Sequence, residues 1–131
     1  MKYLLDTNIC VYWLKGNEHI EKKVLSVGID NLSVSFITVS ELYYGAYKSQ
    51  RVDENIIMIR NLTDHIDVIE SDDAISEAFG SMKASLETAG LIIDDADIFV
   101  SACALVYGLT MVTNNMKYFR RIKGLKLDNW I

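Results

Sequence analysis

The stretch Asp94–Leu105 reads Asp-Asp-Ala-Asp-Ile-Phe-Val-Ser-Ala-Cys-Ala-Leu, so three carboxylates stand directly ahead of an apolar segment. From Ile98 to Tyr107 every residue except Ser101 is apolar or aromatic. A helix with almost no polar face is buried nearly all round, which makes this segment the expected central helix of the fold. In that helix Asp94 and Asp97 are three residues apart and share a face, so both carboxylates point to one place, as in a cation site.

The same two carboxylates also fit a purely structural interpretation. Asp94 can be the N-cap of the helix and Asp97 the third-residue partner of a capping box, both favoured by the helix dipole. Together such caps stabilise a protein by roughly 1 to 2 kcal/mol. The residues near other strand ends decide between the two interpretations.

Length and composition predict a single domain spanning residues 1–131 in a reducing compartment. Half of the residues are hydrophobic, which is typical of a globular chain. Cys10 and Cys103 match no disulfide or zinc spacing, so we expect both in the core. No segment approaches the ~18 apolar residues of a membrane span, and an acid at position 6 interrupts the opening apolar run. The expected location is the cytoplasm, without membrane contact.

The net charge of −5 argues by itself against a nucleic-acid binder, but the charge is unevenly distributed. Residues 117–131 hold five Lys or Arg against one Asp, a balance of 5 − 1 = +4. The first 116 residues therefore carry 8 − 17 = −9. A basic tail on an acidic body can track phosphates while the body holds cations; a solvated surface of mixed charge is the alternative.

Short apolar runs alternate with helical patterns along the chain. Because parallel strands need crossover connections, this alternation predicts an α/β fold, a three-layer α/β/α sandwich with a mainly parallel sheet of four to five strands. The expected strands are Lys2–Leu5, Asn31–Phe36, Ile66–Ile69, Leu109–Val112 and a short Leu125–Leu127. In such sheets ligands gather at the carboxyl ends of the strands.

Several polar residues follow these strand ends. Asp6 follows the first strand, Glu41 lies near the start of the helix after the second, and Asn115 follows the fourth. Glu41 also has a structural interpretation, because Thr38-Val39-Ser40-Glu41 is a capping-box pattern. Asp94 and Asp97 complete the set at the same rim.

Converging carboxylates without matching Lys or Arg are unfavourable unless a cation neutralises them. Oxygen ligands of this kind suit Mg²⁺ or Mn²⁺ rather than zinc. A carboxylate-held magnesium site can hydrolyse a phosphodiester without a further protein group. The sequence shows no Ser-His-Asp or Cys-His arrangement and no glycine-rich phosphate loop, which leaves metal-assisted chemistry as the leading enzymatic hypothesis.

Four ordered motifs resemble those of PIN-domain ribonucleases, specifically the VapC-type toxins of toxin–antitoxin pairs. The resemblance covers nearly the whole chain and implies a PIN-like fold. It also implies a magnesium- or manganese-dependent endoribonuclease acting on a structured RNA such as a tRNA, inhibited by a cognate antitoxin and usually a homodimer. The motifs are Leu5–Asn8, Ile37–Gly45, Asp97–Ala102 and Val112–Asn115, followed by Gly124–Trp130.

The resemblance assigns the acidic residues and their neighbours as follows. Asp6 and Asp97 would be metal ligands, and Glu41 a ligand or a carboxylate that positions water. Asn115 would have an outer-sphere or substrate role in catalysis. Asp94 falls where close relatives often have glycine, so it is either a further metal ligand or only a cap.

Other motif residues are assigned to the substrate. Thr7 and Asn8 would orient Asp6 or contact phosphate, and Thr113 belongs to the same substrate-binding group. Lys83 matches a basic position where a phosphate contact and a solvated lysine are both open. The resemblance places the antitoxin peptide on the apolar surface between the first two helices and the third.

Two other classes of function remain open from the sequence. A phosphoacceptor signalling domain also gathers carboxylates at strand ends, but it needs an adjacent acid pair after the first strand and a lysine after the last. This chain has Asp6-Thr7-Asn8 and no such lysine. The other alternative is a non-catalytic module that binds a partner and whose helix caps only look like a site.

Overall fold

The structure is a computed structural model that describes residues 1–131. Five strands form one parallel sheet in the order β3-β2-β1-β4-β5, so β1 is the central strand. The strands are β1 (Tyr3–Leu5), β2 (Leu32–Ser35), β3 (Asp67–Ile69), β4 (Thr110–Val112) and β5 (Lys126–Asp128). The helices are α1 (Thr7–Leu14), α2 (Glu18–Val27), α3 (Phe36–Lys48), α4 (Val52–His65), α5 (Asp73–Thr88), α6 (Asp95–Tyr107) and α7 (Met116–Phe119).

Alternating strand residues divide the core into two layers. Leu5 and Val112 face a cluster that includes helices α1 to α4, whereas Leu4 and Met111 face a cluster built on α5 and α6. Successive side chains of a strand point to opposite faces of a sheet, so a strand buried on both sides is apolar throughout. The predicted three-layer α/β/α sandwich is confirmed, with all five strands parallel.

The expected second strand was one residue too long at each end, and the expected N-cap of the helix after it lay three residues too late in the chain. The strand β2 ends at Ser35, and Ser35 is the N-cap of α3, with its Oγ accepting the Thr38 N–H at 3.1 Å. Thr38 is buried within the first turn. The pattern Thr38–Glu41 therefore does not cap the helix. The true cap pair, Ser35 and Thr38, has the same spacing of three residues, so the sequence alone did not distinguish the two possible helix starts.

The helix α6 is buried over most of its length as the apolar pattern predicts, but its last turn is not, since Val106 is 37% and Tyr107 43% exposed. Ile98, Val100 and the run from Ser101 to Ala104 are buried, and the helix ends at Gly108 in the left-handed conformation with φ 65°. Glycine adopts this conformation without a Cβ clash, which closes the helix cleanly. Both cysteines are buried and unpaired, as expected. No helix of the chain combines the length and apolar character needed to cross a membrane.

We predict that α6 contributes strongly to stability through its inward residues. Val100 is 1% exposed and Val106 is 37% exposed on the same helix. Val100→Ala should lower the free energy of unfolding by about 2 kcal/mol, because it removes buried methyl groups and leaves a cavity. Val106→Ala, the same change at an exposed position, should alter it by less than about 0.5 kcal/mol. Equal losses in chemical denaturation of the two variants would contradict the central position of α6.

Candidate active site

Asp6 lies at the carboxyl end of the central strand and is only 6% exposed. Its backbone N–H still pairs with the Val112 carbonyl at 2.9 Å, which holds it in line with the sheet. Its carboxylate accepts hydrogen bonds from the Thr7 N–H and the Thr113 hydroxyl, each at 2.9 Å, and from the Asn8 amide at 3.4 Å. Burial raises the pKa of Asp6, and the nearby Glu41 charge raises it further, whereas the hydrogen bonds from Thr113, Thr7 and Asn8 oppose the rise.

Glu41 reaches the same place from α3. Its carboxylate accepts the Thr7 hydroxyl at 2.6 Å, and that hydroxyl also lies 3.2 Å from the buried Thr38 hydroxyl. Thr7 therefore donates its backbone N–H to Asp6 and its side chain to Glu41. Glu41 does not cap α3, although the sequence pattern allowed that role. Its carboxylate instead lies next to the end of β1, where it binds the Thr7 hydroxyl.

Asp97 completes the set from the first turn of α6. Burial raises its pKa to about 6, the charge of Asp6 adds to this rise, and Asp94 and Glu41 raise it further. A hydrogen bond with the Tyr118 hydroxyl acts in the opposite direction. Because like charges raise one another's pKa only at short range, carboxylates from three separate segments share one electrostatic environment.

Asp94 has the backbone position of an N-cap but does not act as one through its side chain. It makes no side-chain capping hydrogen bond, and its carboxylate is exposed. Its backbone N–H is bound to the Tyr118 hydroxyl at 3.1 Å. The capping box considered for Asp94 and Asp97 is therefore absent. Helix capping does not explain these two carboxylates, because neither makes the hydrogen bond that a cap requires.

Tyr118 is a site residue that the sequence did not reveal. It lies on α7, and its hydroxyl meets both the Asp94 N–H and the Asp97 carboxylate. The Arg121 guanidinium covers its ring at 4.4 Å and bonds the Tyr118 carbonyl at 3.1 Å and the Ile92 carbonyl at 3.2 Å. Only the folding of α7 back toward the start of α6 brings Tyr118 here, and no local pattern encodes that contact.

The remaining predicted residues fall into two groups. Thr113 is buried, and its hydroxyl accepts the Asn115 N–H at 3.1 Å. The side-chain Oδ1 of Asn8 accepts the Asn114 N–H at 3.5 Å. Thr7, Asn8 and Thr113 thus surround Asp6. Asn115 is at the rim, exposed, and makes no side-chain cap to α7.

Lys83 lies slightly apart from this group. Its ammonium pairs with Asp95 on the first turn of α6 at 2.9 Å. The pair is on the solvent side, since the Asp95 side chain is 59% exposed. The structure brings Lys83 near the start of α6 but not to the carboxylates themselves.

No basic side chain neutralises the clustered carboxylates. The chain contains two ion pairs, Arg51–Glu54 and Lys83–Asp95, and neither includes Asp6, Glu41 or Asp97. No group of three or more His, Cys, Asp or Glu side chains is close enough to hold a metal ion by itself. Mg²⁺ usually keeps several waters and binds through one or two carboxylates plus substrate phosphates, so an open, oxygen-only donor set of this kind fits it.

Known proteins match this chain over its whole length. The PIN domain family matches residues 3–125. Ribonuclease VapC2 of Haemophilus influenzae is 35% identical over 131 residues, covering 100% of this chain and 99% of the relative. The tRNA(fMet)-specific endonuclease VapC of Shigella flexneri is 32% identical, covering 99% and 98%. The structure of VapBC2 from Rickettsia felis bound to a promoter DNA fragment superposes with a TM-score of 0.93 at 32% identity, covering 100% of both chains.

We predict that the Asp97 charge destabilises the metal-free fold at neutral pH. Its folded pKa of about 6 lies above the ordinary value of 3.8, so the free energy of unfolding should fall as pH rises from about 4 through 6. Asp97→Asn should lose most of this fall, with only the part due to the raised pKa of Asp6 remaining, and should gain about 1 to 2 kcal/mol at pH 7.5 in EDTA, after allowance for the partial exposure of Asp97. Thermal melts from pH 5 to 7.5 measure it.

The control for this experiment is Asp64→Asn, which removes one exposed charge from α4. It should reproduce the pH dependence of the wild type. Parallel curves for the wild type and Asp97→Asn would show that Asp97 titrates normally.

Proposed function

This chain belongs to the VapC ribonucleases of the PIN-domain family, and from that premise we propose that it is a magnesium-dependent endoribonuclease, the toxin of a toxin–antitoxin pair. Asp6 and Asp97 would hold Mg²⁺ (or Mn²⁺), with Glu41 as a third ligand or the carboxylate that positions water. The observation that carries this proposal is the placement of the carboxylates: Thr7 joins the buried Asp6 to Glu41, Asp97 lies within range of both charges, and none of the three has a basic partner.

Each residue then has a separate task. When bound, the ion supplies positive charge to the phosphodiester and lowers the pKa of a bound water. Thr7, Asn8 and Thr113 hold the Asp6 carboxylate in one orientation through their hydrogen bonds. Glu41, exposed and fixed by the Thr7 hydroxyl, is suited to orient the attacking water.

The reaction is hydrolysis. Water adds to the phosphorus, the bond from phosphorus to the 3′ oxygen breaks, and that oxygen takes up a proton, which leaves a 5′-phosphate and a 3′-hydroxyl. The exposed amide of Asn115 at the rim is suited to contact a phosphoryl oxygen. Asp94, without a cap to make, becomes available as an outer ligand.

The substrate we propose is a structured RNA of the tRNA class. Two relatives of about the same length carry the name tRNA(fMet)-specific endonuclease, at 32% and 30% identity. Lys83 would contact a flanking phosphate, which requires exchange of its ion pair with Asp95; an exposed pair is weak enough to exchange.

The decisive experiment is RNA cleavage by the purified protein. Asp97→Asn should lower kcat for tRNA cleavage by about 10²-fold or more, the typical loss when an electrostatic catalytic group is removed. Asp73→Asn provides the matched control, since Asp73 is an exposed acid in the first turn of α5. It should retain activity within about twofold. Cleavage that persists in EDTA, or in Asp97→Asn, would refute the mechanism.

An apolar groove beside the site is the proposed seat of the antitoxin. It has a volume of about 350 Å³ between α1, α3 and α4 and extends to Glu41. Its apolar lining includes Val11, Leu42 and Ile59. Solved complexes such as VapBC from Salmonella typhimurium, with a TM-score of 0.94 and 30% identity, support a protein partner, and an apolar groove suits an amphipathic segment. The groove is formed by α1, α3 and α4, whereas the resemblance placed the antitoxin peptide between α1, α2 and α3.

We predict that filling this groove separates antitoxin binding from catalysis. Gly45 lines the groove, and a Cβ built on it meets nothing within 4 Å. Gly45→Phe should therefore fold normally, cleave RNA normally and bind the cognate antitoxin about tenfold more weakly or worse. Titration calorimetry with the antitoxin measures the change.

Gly80→Phe provides the matched control, because Gly80 is also an exposed helical glycine with open space at its Cβ. It should leave antitoxin affinity unchanged. Equal weakening by both variants would argue against the groove.

We further propose that the protein is a homodimer in the cytoplasm. Sedimentation of the purified protein tests the homodimer.

A further inference from the structure

A row of basic side chains follows the candidate site along the chain. Lys117, Arg120, Lys123 and Lys126 recur at every third residue, and all four are exposed. The large apolar residues between them turn inward: Phe119 and Ile122 are buried, and Tyr118, Leu125 and Leu127 pack against the same core cluster. The four cations, which we call the basic strip, therefore share the outer side of this segment.

The topology sets the direction of the basic strip. It starts on α7, whose Tyr118 hydroxyl meets Asp94 and Asp97 at the carboxyl ends of the strands. It ends on β5, the edge strand, where Lys126 pairs with Thr110 at the amino end of β4. The strip thus leads from the rim of the site down the edge of the sheet, and neighbouring members are separated by at most about 10 Å of chain.

The strip is without acidic partners. None of its members takes part in either ion pair of the chain. The one acid in the segment, Asp128, accepts the Trp130 indole N–H at 3.0 Å and the Asn129 N–H at 2.8 Å instead. Arg121 differs from the strip because its guanidinium is turned inward onto Tyr118.

Protection of the sheet edge does not account for this arrangement. A lysine on an edge strand prevents pairing with other chains, and Lys126 can serve that purpose. The other three cations lie outside β5, on α7 and the connection that follows it. Although the net charge of the chain is −5, the four cations of the strip have no acidic partner, so their positive charge is available to a ligand.

We propose that the basic strip binds the phosphodiester backbone of the RNA strand on one side of the scissile bond. The inference rests on the proposed ribonuclease function, and it assigns the strip a role in holding substrate rather than in chemistry. Phosphate contacts of this kind position a nucleic acid without reading its sequence. A membrane surface fits less well, because none of the exposed large apolar side chains lies between 117 and 126.

The test measures binding of a fluorescent 12-nucleotide RNA of mixed sequence as a function of salt, in EDTA. The four strip contacts to a single strand predict a contribution of about −2.8 to the slope of log K against log salt, and Lys123→Gln with Lys126→Gln should reduce the size of the slope by about 1.4. The matched control is Lys2→Gln with Lys22→Gln, which removes the same charge from exposed positions elsewhere. It should leave the slope within about 0.3 of the wild type.

The outcomes are distinct. A slope unchanged in the strip variant, or changed equally in the control, would overturn the proposal. So would a strip variant that loses binding to vesicles of three parts phosphatidylcholine to one part phosphatidylserine while keeping RNA affinity. Binding in EDTA requires no hydrolysis, so a protein that fails to cleave RNA with magnesium can still bind RNA through the strip.

Discussion

The burial of Asp6 is the constraint on which the rest of the structure depends. A carboxylate at the end of the central strand has the sheet on both sides and little access to water, and the charged form is costly there. Hydrogen bonds from Thr7, Asn8 and Thr113 offset part of that cost. These donors come from α1 and the end of β4, so both segments must be in place to limit the rise in the pKa of Asp6.

Thr7 links the buried Asp6 to Glu41 on α3. Its backbone amide serves Asp6, its hydroxyl serves Glu41, and the buried Thr38 hydroxyl lies behind it. The start of α3 is consequently fixed twice, once by Ser35 as its cap and once through Thr7. The hydrogen bond that the Thr7 hydroxyl donates to Glu41 favours its charged form and holds it near Asp6. The repulsion between these two like charges lowers the stability of the metal-free fold.

Much of this could be predicted from the sequence because it depends on local patterns. Apolar runs predicted the strands, and the apolar segment after Asp97 predicted α6. Because the carboxyl ends of parallel strands lie at one edge of the sheet, the sequence also predicted that Asp6, Glu41 and Asp97 would lie near one another. The start of α3 was missed because Ser35–Thr38 and Thr38–Glu41 have the same spacing. Tyr118 was missed because its contact with α6 depends on the path of α7, and the groove depends on how α1, α3 and α4 pack together.

The uneven charge of the chain follows from the same geometry. An acidic site within a body of charge −9 repels a polyanion, yet the proposed substrate is one. At physiological ionic strength the Debye length is about 8 Å, so distant surface charges are screened and the groups next to the strand decide its path. Cations placed along α7 and β5 act within that distance, whereas basic groups inside the site would neutralise Asp6 and Asp97 and compete with a metal ion. Because the cations lie on α7, β5 and the connection between them, and the carboxylates lie on other elements, a single chain can attract phosphate and a metal ion at different places.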